Sequence, residues 1–245
     1  MRNIMLEIEY DGTDFNGWQI QPKGRTVEKE IMKAIKKIAK HEVKIFGAGR
    51  TDAKVHAKAQ TANFKTESKI PIDRLPKAMN GLLPKDVSIV RAFEMPKNFN
   101  ARYHAIGKTY SYHIYNSRIR SALLSRHSYY YPVTLDIELM RAATQFLIGG
   151  HDFKSFMSAN SNIKNTVRII NSINICKRDK SIYLTFEGNG FLYNMVRIMV
   201  GTLLEVGRKK TTPEYMKYIL ESKNRVYAGC TAPPQGLFLE KVIYP

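Results

Sequence analysis

Gly49-Arg50-Thr51-Asp52 sets a cation, a hydroxyl and a carboxylate on one tight turn. A β-type run, Val43 to Phe46, leads into Gly47 and Gly49, so the turn is expected to follow a strand and to begin where the backbone tolerates positive φ. Arg50 can hold Asp52 ionised through a charge-assisted hydrogen bond, and an ionised carboxylate is a nucleophile or a base. The competing reading is a solvated turn with an incidental ion pair, a common surface feature. Residue types alone leave both open.

Three further groups carry chemical potential. In Lys108-Thr-Tyr110-Ser-Tyr112-His-Ile114-Tyr115 the strand period puts Tyr110, Tyr112 and Ile114 on one face. An aromatic there either stacks on an extruded base or fills the core with its hydroxyl bonded. Arg197 is the one formal charge between Phe191 and Leu204. A cation on so apolar a helix costs several kcal/mol unless a carboxylate or phosphate pairs with it, so a partner is expected. The third group is dispersed: Lys23, Arg25, Lys58, Lys65, Arg102, Lys108, Arg118, Arg120 and Arg126 are candidates for phosphate contact, informative as a set rather than singly.

That set reflects the whole composition. The chain of 245 residues has 39 Lys plus Arg against 21 Asp plus Glu, a formal charge of +18. Such an excess attracts polyanions, nucleic acid first among them. No long apolar run, signal peptide or lipidation motif supports a membrane partner. Cys176 and Cys230 are far apart and lack CxxC spacing, so no metal site is expected, a reducing cytoplasm is the natural setting, and Cys230 reads as structural.

Elements that would position these residues follow from periodicity. Met1 to Tyr10 alternates, with Leu6, Ile8 and Tyr10 opposite Glu7 and Glu9, as in a half-buried strand. Trp18 follows on a loop, to pack beneath it or to meet a base. Thr26 is the expected N-cap of a helix whose stripe is Val27, Ile31, Ala34, Ile35 and Ile38. Strands at 43–46, 61–66 and 87–93 and a helix at 72–80 complete a β-α-β-β-α-β order, the ferredoxin-like split unit. The second half reads likewise: strand 108–115, helix 137–147, strands 168–176 and 181–187, helix 191–206 and strand 237–243, with an extra helix at 213–222. The expectation is an α+β chain of two ferredoxin-like (RRM-like) halves, 1–103 and 104–245, whose antiparallel sheets meet at a central cleft.

Gly49-Arg-Thr-Asp-Ala-Lys-Val-His-Ala57 resembles the catalytic motif of the tRNA pseudouridine synthase A family, GRTDAGVHA, with Lys54 in place of the family's Gly. Four other stretches resemble family elements in the same order. Tyr10 to Trp18 looks like YDGTxFxGW, Lys108 to Tyr112 like K/R-x-Y-x-Y, Phe191 to Leu204 like FLxxMVRxxVGxL, and Thr231 to Pro245 like TAPPxGLxLxxVxYP. The resemblance spans effectively the whole chain. It implies the pseudouridine synthase fold, with Asp52 as the catalytic residue, Tyr110 as the base-stacking tyrosine and Arg197 as the counter-ion of Asp52. Arg50 would support the carboxylate, and Thr51, Lys54, His56 and Leu237 would lie on the substrate side. It further implies isomerisation of uridine to pseudouridine at tRNA positions 38 to 40, no metal or other cofactor, and a cytoplasmic homodimer. The alternatives are a paralogue acting on ribosomal RNA and a non-catalytic RNA-binding protein of the same fold.

Overall fold

The computed structural model describes residues 1–159 and 163–245. In chain order the elements are β1 (Arg2–Tyr10), α1 (Val27–Ala39), β2 (Ile45–Gly47), β3 (His56–Thr66), α2 (Leu75–Asn80), β4 (Val87–Met95), β5 (Gly107–Asn116), β6 (Tyr129–Tyr131), α3 (Ile137–Thr144), β7 (Gly149–Asp152), β8 (Val167–Arg178), β9 (Ser181–Gly188), α4 (Met195–Gly207), α5 (Tyr215–Ser222) and β10 (Leu237–Ile243). They divide into two units, residues 1–106 with 238–245, and residues 107–237. From Phe238 onward the last strand, expected with the C-terminal half, falls in the first unit.

In the first unit the strands pair β4-β1-β3-β2, every pair antiparallel, as the split βαββαβ unit requires. β3 is long enough for a second neighbour. Its C-terminal half pairs with β2 at Ala62 to Phe64, while His56 and Ala57 pair in parallel with Phe238 and Leu239 of β10. Ile4, Leu6, Ile8 and Tyr10 of β1 are buried, as are Val27, Ile31, Ala34 and Ile35 of α1. Both patterns match the expected stripes. Thr26 does sit at the N-cap, but its Oγ1 is buried with no hydrogen-bond partner. The orphan amides of the first turn are satisfied instead by the Trp18 loop: Val27 N–H donates to Gly17 O (3.2 Å) and Glu28 N–H to Trp18 O (3.0 Å). α2 starts three residues later than expected, because Pro76 is tolerated only in a first helical turn.

In the second unit β5, β9 and β8 pair antiparallel in that order, β7 borders β8, and β6 runs parallel to the end of β5. α4 begins at Met195 rather than Phe191 because Asn194 is left-handed at φ 61° and breaks the helical run before it. The helix is almost wholly buried, and the tail loop lies directly on it. A Cβ on Gly201 would stand 1.8 Å from Cys230 O, and Gly229 N–H donates to Thr202 Oγ1 (2.9 Å). Neither cysteine is a core residue; Cys176 and Cys230 are free and exposed. No helix among the described residues is long and apolar enough to cross a membrane.

Candidate active site

The Asp52 loop is held in place by the strand that precedes it in sequence by forty residues. Between Ile8↔Gln60 and Tyr10↔Ala57 the register shifts, two steps along β1 matching three along β3. Such a bulge re-aims a side chain at the strand end. The Tyr10 hydroxyl lies 2.7 Å from Thr51 Oγ1, both groups buried. Burial raises the Tyr10 phenol well above its usual range and outweighs the opposing bonds from Thr51 and Gln60, so it stays protonated at any working pH. On the other side of the loop Trp18 N–H donates to Thr51 O (3.1 Å) and Lys54 N–H to Phe15 O (3.1 Å). Gly17 permits this approach: at φ +87° a Cβ would be 2.6 Å from Thr51 O. Gln60, fully buried in β3, donates to Gly49 O (3.0 Å). The loop is therefore pinned at Gly49, Thr51 and Lys54, and Asp52 stands half-buried between the last two.

Other expected site residues in this unit separate into those facing solvent and those beneath the loop. Arg50 is exposed and donates to Gln19 Oε1 (3.1 Å). The Trp18–Thr51 bond lies next to Gln19 in the chain, on the same side of the loop as this contact. Thr51 is buried and bonded to Tyr10, which makes it an anchor of the loop. His56 is also buried, its ring stacked on Phe238 at 4.6 Å and its Nδ1 3.0 Å from the Gly12 amide. Trp18, 3 % exposed, packs under the loop, its ring centroid 6.3 Å from that of Tyr10. Of the candidate phosphate contacts, Arg25 is bound to Asp86 and Lys58 pairs with Glu240 at 2.9 Å.

Lys54 departs from the resembled motif in side chain but keeps a glycine-like backbone. It is left-handed, at φ 64°, within the turn that Val55 N–H closes on Asp52 O (3.2 Å). Gly47 and Gly49, expected to supply positive φ, do not; Gly17 and Lys54 do. A left-handed L-residue costs about 1–2 kcal/mol, and glycine's greater freedom when unfolded returns roughly half of that. Lys54→Gly is therefore expected to stabilise the protein by about 0.5–1 kcal/mol, read as a higher urea midpoint at unchanged slope. A lower midpoint would show that the lysine side chain makes up for its backbone.

In the second unit the alternating face of β5 is as expected. Tyr112 is fully buried, donates to Pro233 O (2.7 Å), and has its phenol pushed up by burial. Tyr110, 9 % exposed, meets Phe191 edge-to-face at 5.2 Å. Arg197 is half-buried at the start of α4. Its Nε donates to Ala232 O and its Nη1 to Asn194 Oδ1, each at 2.7 Å, while Ala232 N–H donates back to Arg197 O (3.1 Å). These bonds staple the tail loop to the helix and orient the guanidinium. Leu237, beyond that loop, is buried.

Residues 7–104 and 143–245 match the family model described as tRNA pseudouridine synthase. The chain belongs to the tRNA pseudouridine synthase family. A tRNA pseudouridine synthase A of Caldicellulosiruptor bescii is 50 % identical over 244 residues, covering 100 % of both chains. A tRNA pseudouridine synthase A 2 of Clostridium perfringens is 48 % identical with the same coverage. Among solved structures, a chain of a Cbf5-Nop10-Gar1 complex is similar with a TM-score of 0.40 and 13 % identity, over 97 % of this chain and 58 % of that one. The stretches matching the synthase family model contain Asp52, Arg197 and Leu237; Tyr110 lies between them.

For a tRNA pseudouridine synthase the unexpected residue is Tyr10. In the sequence it ends an alternating strand and opens the YDGTxFxGW-like stretch with no role assigned, yet its hydroxyl fixes the residue next to Asp52. Tyr10→Phe leaves Thr51 Oγ1 buried without that partner, a cost of about 1–3 kcal/mol. The freed loop is expected to lower the single-turnover rate about tenfold or more, since small misplacement of a reacting group is expensive. Urea denaturation and single-turnover isomerisation check the two parts separately. An unchanged rate would make Tyr10 a core residue only.

Proposed function

We propose that this enzyme isomerises uridine to pseudouridine in the anticodon stem-loop of tRNA, at positions 38 to 40. The observation that carries the reading is Asp52, a half-buried carboxylate on a loop pinned on both sides of it by bonds to Thr51 and Lys54. Asp52 acts at the ribose, either as a nucleophile at C1′ or as a base at C2′. Uracil leaves C1′ by breaking the N1–C1′ bond, turns, and is rejoined through C5; the C5 hydrogen passes to solvent and N1 takes up a proton in its place. Everything taken from the sugar is returned to it, so the net reaction calls for no redox or group-transfer cofactor.

Reaching the glycosidic bond requires the nucleotide to leave its stack, and Tyr110 would then supply a replacement surface, with Leu237 beside it. Arg197 would serve as counter-ion to Asp52, its direction set by Asn194 and Ala232. The exposed Arg50 and Lys54 would meet phosphates flanking the flipped uridine, while Thr51 and His56 act from beneath the loop. The working form would be a cytoplasmic homodimer.

Tritium release from tRNA transcripts labelled at uridine C5 tests the activity. Replacing uridines 38 to 40 with cytidine should abolish release. Release from ribosomal RNA but not tRNA would favour the paralogue reading. RNA binding without release from either would leave a non-catalytic binder.

A further inference from the structure

Where β5 ends, the chain forms a concave basic surface lined by Asn116, Arg118, Arg120 and Lys180. We propose that this surface is a phosphate-backbone subsite for the RNA substrate, separate from the groups that handle the reacting nucleotide. The proposal rests on the reading of this protein as a tRNA-modifying enzyme.

Two segments build the surface, and bonds at the end of β5 join them. Asn116 N–H donates to Lys180 O (2.7 Å), which fixes the tip of the β8–β9 hairpin against the strand. The Asn116 amide donates to Tyr131 O and Val133 O, at 2.8 and 2.7 Å, and Tyr130 Oη donates to Arg118 O (2.8 Å). The backbone at Arg118 and Lys180 is thus held before any ligand arrives, which reduces the ordering cost of binding.

Charge separates this surface from five other arginine sites in the chain. Arg2, Arg25, Arg91, Arg141 and Arg208 each face a carboxylate. Among the described residues Arg118, Arg120 and Lys180 join no ion pair, although Asp179 is the neighbour of Lys180 in the hairpin turn. Three exposed cations around one concavity repel one another, an arrangement that a polyanion relieves. Arginine's planar fork also suits phosphate oxygens.

Tyr110 and Asn116 are six residues apart on one strand, about 20 Å at the usual strand rise. Phosphates held here would therefore belong to nucleotides away from the flipped uridine, and contacts of this type position RNA without reading sequence. Arg118 and Arg120 also fall in the stretch, residues 105–142, that the family model does not match.

The test compares wild type with Arg118→Ala/Arg120→Ala/Lys180→Ala, using a full-length tRNA transcript and its isolated anticodon stem-loop. Three lost phosphate contacts should make the plot of log affinity against log salt shallower by about 2 to 3 for the full transcript. The loss should appear as a KM raised about tenfold rather than as a lower kcat, and it should be smaller for the stem-loop. Arg118→Lys/Arg120→Lys with Lys180 intact should recover most of the affinity, because point charges suffice. An unchanged slope and KM would overturn the subsite. So would RNA binding that persists while binding to anionic phospholipid vesicles is lost, which would assign the surface to a membrane. An inactive wild type would overturn the proposed function instead, and the affinity measurements would still decide the subsite.

Discussion

Asp52→Asn is expected to abolish turnover, lowering the single-turnover rate by about four orders of magnitude or more, while tRNA affinity stays within about twofold. The amide fills the same volume and keeps the backbone of the loop, including the Val55 N–H to Asp52 O bond that closes its turn. Trp18, Tyr10 and Phe15 hold residues 51 and 54 through groups the substitution does not touch. What is lost is the carboxylate's capacity to attack carbon or take a proton, which no amide replaces at neutral pH. The measurement needs protein from a host lacking its own synthase, because trace wild type would mimic residual activity. Turnover within tenfold of wild type in such a preparation would remove Asp52 from the mechanism. Loss of RNA binding together with turnover would point to a collapsed loop instead.

How much of this was legible in the sequence depended on the range of the interactions. The strand periods of β1 and β5 and the α1 stripe are local patterns, and each could be read from residue types. The Asp52 stretch stood out through its resemblance to the family motif, because its residue types alone left a solvated turn equally open. The loop's support was not legible. The Tyr10 bond to Thr51 and the Gln60 bond to the Gly49 carbonyl join residues 41 and 11 apart, and the motifs that hold Tyr10, Gly49 and Thr51 do not say which groups meet. The Arg50 bond to Gln19, 31 residues away, is likewise one that no spacing rule foresees. β3 was read as starting at Thr61, because Lys58 and a buried Gln60 interrupt the apolar alternation; it begins at His56, inside the motif itself. For Thr26 the cap position was legible and its missing bond was not, since the Trp18 carbonyl takes the Glu28 amide it could have served.

Arg197→Met is expected to cost both stability and activity, and the stability loss exceeds what the sequence suggests. Composition presents Arg197 as a lone charge on an apolar helix, where a long apolar side chain would fit with little penalty. The structure adds two bonds at 2.7 Å, to Ala232 O and Asn194 Oδ1. Hydrogen bonds from a charged donor contribute about 1.5–3 kcal/mol each, and removing the donor leaves two half-buried oxygens unserved. A loss of about 3 kcal/mol follows, with the tail loop from Cys230 to Pro233 the first part to loosen. The Gly229–Thr202 and Tyr112–Pro233 bonds limit how far that loosening spreads. Arg197→Lys keeps the charge but can serve only one of the two oxygens well, so it separates charge from staple. If Arg197 is also the counter-ion of Asp52, Met should lower the rate about 10²–10³-fold at a temperature where the variant is fully folded. Lys should recover a large part of that rate while recovering less of the stability. Equal recovery of both, or full activity of the folded Met variant, would reduce Arg197 to a clamp on the tail and leave Asp52 needing another cation.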